Sequence, residues 1–123
     1  MFDQATRAAK GHVRLRRVDQ LALLCAAYIA VRCWERDGIA EAVERELRAE
    51  TEVAVSQSSN LFLLLLRCAL PQLDRKRASK MAAALEFADH HAARAKRLEA
   101  FLWNHGGIEG AARGRARLRD QDR

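Results

Sequence analysis

Proline occurs once in 123 residues, glycine six times and threonine twice, and aromatic side chains make up only 6% of the chain. So few turn formers and β-branched residues leave little with which to build a strand-rich domain, which needs frequent turns and alternating Val, Ile and Thr. Paired cysteines are also lacking. Cys25, Cys33 and Cys68 are odd in number and show no short paired spacing, which argues against a disulfide framework or a Cys-x-x-Cys metal site. Free thiols set in apolar helical patterns suit the reducing cytoplasm, where they act as small buried hydrophobes. The longest apolar runs, Leu21 to Val31 and Leu61 to Leu66, fall well short of the ~20 residues that a membrane span requires. The first twenty residues are charged throughout, so neither a secretory leader nor a transmembrane segment is expected.

What the chain has instead is helix-forming material, since half of its residues are hydrophobic and these are mostly Ala and Leu. Its length suits one hydrophobic core. The expectation is therefore an all-α, compact bundle of about five to six helices, forming a single domain over residues 1–123. Residues 1–17 and 119–123 read as flexible basic ends.

Local punctuation places the helices. Asp3 can cap a short Ala-rich helix that ends at Gly11, and the basic stretch His12 to Arg17 has no clear pattern. Asp19 fits an N-cap for a helix running to about Arg36, closed by Asp37-Gly38. That helix is apolar nearly all round, with Leu21, Leu24, Cys25, Tyr28 and Val31 on one face and Leu23, Ala26, Ala27, Ile29 and Ala30 elsewhere. Such a helix must be covered on most sides, and a chain this short has few helices to spare for the purpose. A homo-oligomer or a protein partner on the apolar helices is expected. From Ile39 to about Glu52 an amphipathic helix carries Glu41 with Arg45 and Glu44 with Arg48 at i,i+4. A polar linker at Ser56 to Asn60 can cap the next helix through Ser58 or Ser59, and Pro71 stops that helix after Leu70. Asp74 caps a helix reaching about His91, with Ala78, Met81, Ala82 and Leu85 inward. A further helix spans Ala92 to Asn104 and ends at Gly106-Gly107. The last runs from Ile108 to about Leu118, where Gly110 and Gly114 allow close helix packing.

Charge supplies the functional lean. The formal net charge is +6, distributed as +3 over Met1 to Gly38, −3 over Ile39 to Asn60 and +5 over Asp74 to Arg123. Two basic features stand out. Arg75, Lys76, Arg77 and Lys80 crowd a helix N-terminus, where the macrodipole disfavours cations and an anion would be welcome. Arg113, Arg115, Arg117 and Arg119 alternate with Gly114, Ala116 and Leu118; in a helix they spread over more than one face, and Arg-rich ends of this kind track phosphate backbones. These eight residues are the candidate nucleic-acid-binding set. Both features also have a plain reading as a solvated helix start and a solubilising tail.

Catalytic patterns are thin. Glu86 and His90 share a helix face at ligand spacing, but a third partner is not evident. No phosphate-binding glycine loop and no Gly-x-Ser-x-Gly elbow occurs. Trp34 and Trp103, near helix ends, read as core or interface anchors ahead of base-stacking platforms. The expectation is a non-enzymatic cytoplasmic protein without cofactor, metal or membrane contact. It would be a small basic accessory protein that grips nucleic acid through backbone phosphates. The alternative is a protein-interaction module (adaptor, inhibitor or assembly subunit) with no nucleic-acid contact, a type that would suit a phage or mobile element.

Overall fold

Six helices and one 3-10 turn follow one another in a computed structural model that describes residues 17–50 and 60–121. They are α1 (Arg17–Arg36), α2 (Ala40–Glu50), α3 (Leu61–Ala69), α4 (Arg75–His90), the 3-10 turn Ala95–Arg97, α5 (Leu98–Asn104) and α6 (Gly107–Gln121). No strand occurs among the described residues, and the helices close into a single compact all-α bundle. The expected helix at Met1 to Lys10, the basic stretch His12 to Arg16, most of the Ser56 to Asn60 linker and residues 122–123 lie outside the described residues.

The helix ends follow local chemistry. At the end of α1, Gly38 takes φ +76 and the Ile39 amide donates back to the Trp34 carbonyl at 3.0 Å, a left-handed cap that costs glycine nothing. Asn60, the last residue of the expected linker, caps α3 by accepting from the Leu63 amide at 2.8 Å, in place of either serine before it. Asp74 caps α4 by accepting from the Arg77 amide at 3.2 Å.

One expected helix is broken. The stretch Ala92 to Asn104 does not run continuously, because Ala92 adopts φ +54 and the Ala93 amide turns back onto the Ala88 carbonyl at 3.0 Å. That closure also frees the Ala93 carbonyl to accept from the Tyr28 hydroxyl at 2.6 Å. The helix resumes only after the 3-10 turn. At the other end α6 continues to Gln121, three residues beyond the expected stop at about Leu118.

The core joins every helix except α2, which buries no residue. Leu24, Tyr28 and Val31 of α1 meet Phe62 and Leu66 of α3, Met81 and Leu85 of α4, Leu98 and Leu102 of α5 and Ala111 of α6. The Tyr28 and Phe62 rings stack at 6.1 Å. Arg32 completes a polar seam above them, donating to the Tyr28 hydroxyl at 2.9 Å and to Asp89 at 3.1 Å. Arg67 is the one charged side chain buried among the described residues, and it donates to the Leu73 carbonyl at 3.4 Å.

The closest packing is between α4 and α6. Lys80 reaches Glu109 and Glu86 reaches Arg115, both 29 positions apart, so the two helices run parallel with α5 as the return. Small residues make this approach possible. A Cβ at Gly114 would lie 2.6 Å from the Phe87 ring, and one at Gly110 would overlap the His105 carbonyl oxygen. Close helix packing, the sequence expectation for both glycines, holds at Gly114 against α4, whereas at Gly110 the near neighbour is the His105 backbone in the turn leading into α6.

Candidate nucleic-acid interface

The α4–α6 pair carries all eight cations singled out from sequence. Arg75 and Lys76 are exposed in the first turn of α4. Arg77 is half-buried, and its guanidinium donates to the Gln20 side-chain carbonyl at the start of α1. Lys80 is exposed and pairs with Glu109 at 3.2 Å. Because the helices are parallel, the first turn of α6 lies beside this cluster. Glu109 there is held below the usual carboxylate range, first by its hydrogen bond and charge contact with Lys80 and then by Arg77 and Arg113. Two residues of α4 and two of α6, far apart in sequence, thus share one electrostatic site.

The C-terminal arginines divide. Arg113 and Arg117, one turn apart, are exposed. Arg115 turns inward and donates to both carboxylate oxygens of Glu86, at 3.1 and 3.4 Å. The side chain of Arg119 lies outside the described residues. The first-turn amides of α4 are not an open anion cradle, since the Asp74 carboxylate already holds the Arg77 amide. Any phosphate would therefore be met by side chains.

The other end of the pair is acidic. A cleft of about 520 Å³ lies between α1, α2, α3 and the C-terminal ends of α4 and α6, and Glu35, Glu41, Glu44, Glu86 and Asp89 line it with Arg115. Burial, and after it the neighbouring Asp89, push the Glu35 carboxyl above its ordinary value, against the pull of Arg32. Glu86, considered as a metal ligand with His90, is committed to Arg115. Among the described residues no three His, Cys, Asp or Glu side chains converge as metal ligands.

One expectation about apolar side chains is corrected, and another is narrowed. The three thiols are half-buried rather than fully enclosed, and burial followed by Glu99 pushes the Cys25 thiol upward, away from the reactive thiolate. Trp34 packs on the core as expected, but Trp103 is 69% exposed. It stands at a cleft of about 350 Å³ that also touches Gln20, Leu21, Arg77, Ile108 and Glu109. Sequence gave no sign of this exposure, because a helix-end tryptophan reads the same whether its ring turns in or out.

No helix among the described residues is long and apolar enough to cross a membrane. No protein-family model, curated protein or solved structure matches the chain, so its own residues carry the functional argument.

Proposed function

We propose that the protein is a non-enzymatic cytoplasmic accessory factor that binds nucleic acid through backbone phosphates, using Arg75, Lys76, Lys80, Arg113 and Arg117. The observation that carries the reading is the parallel pairing of α4 and α6, which brings Arg113 into the charge site of Lys80 and Arg77. The acidic helix α2 packs on α1 and α3 and meets this pair only across the cleft at its C-terminal end, where Glu41 and Glu44 share the wall with Arg115; at the N-terminal end Glu109 pairs with Lys80. Side chains of this kind position a phosphate backbone without reading bases, and Trp103 at the neighbouring cleft offers a stacking surface for an unpaired base.

Titration of labelled duplex and single-stranded DNA and RNA tests this. Affinity should fall steeply as salt rises from about 50 to 200 mM, through counterion release. Replacing Arg75 and Lys76 together by Glu should weaken binding about tenfold or more and flatten the salt slope by about two contacts. An absence of binding at low salt would remove the reading.

A second reading is favoured by α1. Its outer side exposes Ala22, Ala26 and Ile29 with no other described helix over them, and a protein-interaction module would complete its burial there.

A further inference from the structure

We infer that the outer face of α1 is the contact between two copies of this chain, paired antiparallel about a two-fold axis between Ala26 and Ile29. The inference rests on the second reading above, that another chain covers this face, and commits it to one occupant and one register. At 100° per residue, Ala22, Ala26, Ile29 and Cys33 fall within about 60° of arc, opposite the core-facing Leu24, Ala27, Tyr28 and Val31. Cys25 and Ala30 flank them, so the central face holds no charged side chain, and Ile29 at its middle is 48% exposed.

Extended by one step at each end, the stripe reads Asp19, Ala22, Ala26, Ile29, Cys33, Arg36. The spacing alternates three and four, the period that keeps one seam facing a partner helix. Charge then selects the direction. In a parallel pair Asp19 would face its own copy and Arg36 its own copy, like against like. In the antiparallel pair Asp19 of each copy faces Arg36 of the other, Ala22 faces Cys33 and Ala26 faces Ile29. Arg36 is exposed, with contacts at 3.5 Å to the adjacent Asp37 and at 3.7 Å to Cys33 Sγ, so its guanidinium already lies at the edge of this face. Small residues on either side of Ile29 let the two backbones approach closely.

Light scattering on the full chain at micromolar concentration, with Ile29→Arg and with Ala22→Cys in a Cys25→Ser, Cys68→Ser background, tests both the surface and the register. The expected result is a dimer whose dissociation constant rises about tenfold or more with Ile29→Arg. Mild oxidation of the Ala22→Cys chain should link position 22 of one copy to Cys33 of the other, as geometry at opposed positions allows. A dimer indifferent to Ile29→Arg, or one without that cross-link, overturns the inference. A monomer overturns it as well. If the monomer still binds an apolar dye in an Ile29-dependent way, the broader partner reading survives; if it does not, both fall.

Discussion

Two glutamates at opposite ends of the α4–α6 pair meet opposite surroundings. Glu109, at the N-terminal end, sits among Lys80, Arg77 and Arg113 and is held acidic. Glu35, on α1 beside the C-terminal end, is partly desolvated next to Asp89 and is pushed the other way. The arginines of one short run are sorted by the same packing: Arg113 belongs to the cationic end, and Arg115 is drawn to Glu86 at the acidic cleft. A parallel helix pair therefore polarises the molecule, although the linear charge pattern suggests only two basic ends and an acidic middle.

The largest effects should come from the two buried glycines of α6, Gly110 against the turn that leads into the helix and Gly114 against α4. Gly110→Ala gains about 1 kcal/mol of helix propensity but drives a Cβ into the His105 backbone carbonyl. Backbone cannot move as a side chain can, so a net loss of about 2–4 kcal/mol is expected in denaturant unfolding. Gly114→Ala meets only the Phe87 ring, which can tilt, and should cost about half as much. Equal or reversed effects would mean that the close approach is not at Gly110.

Next in size is the pair that anchors the acidic end. The Glu86–Arg115 bridge is bidentate and its side chains are only 22% and 25% exposed, conditions under which an ion pair is worth more than a surface contact. Glu86→Ala should cost about 1 kcal/mol of stability. It also releases Arg115, so affinity for a phosphate backbone should rise or stay level while stability falls. A parallel loss of both would show that Glu86 supports the α4–α6 face as a whole.

Several helix ends were legible in sequence from one residue: Asp74 and Pro71 by lost or gained hydrogen bonds, Gly38 and Gly106 by left-handed backbone; Asp19, expected as the cap of α1, lies inside its first turn instead. The break at Ala92 was not, since alanine ordinarily avoids that conformation and the turn is closed here by a long-range bond, from the Tyr28 hydroxyl of α1 to the next carbonyl, that of Ala93. Leu21 to Val31 and Leu61 to Leu66 look alike as apolar runs. Yet α3 has Phe62, Leu64 and Leu66 buried with its other leucines half-buried, whereas α1 keeps an open side; which neighbours arrive is a tertiary fact. The candidate cations were all identified from sequence, but their partners were not. Lys80 with Glu109 and Glu86 with Arg115 are each 29 positions apart, beyond any local rule.

The smallest effect separates the two ends most directly, because its sign differs between them. A carboxyl held below its ordinary value stabilises the fold above the usual glutamate range, and that contribution is lost as pH falls through the depressed value. Glu109→Gln should therefore lower Tm at neutral pH, with the difference shrinking below about pH 4. Glu35 follows the opposite sign. Its raised value means a contribution fully present below the ordinary range and lost as pH rises through the raised one, so at neutral pH its charge is a burden. Glu35→Gln should raise Tm there by no more than about 2 °C, since the residue is largely exposed and solvent screens it, and the gain should vanish in acid. Thermal scans of both variants from about pH 3 to 7 read the two signs directly. Shifts in the same direction would mean that both glutamates respond only to the net charge of the molecule, and the distinction between a cationic and an acidic end would fail.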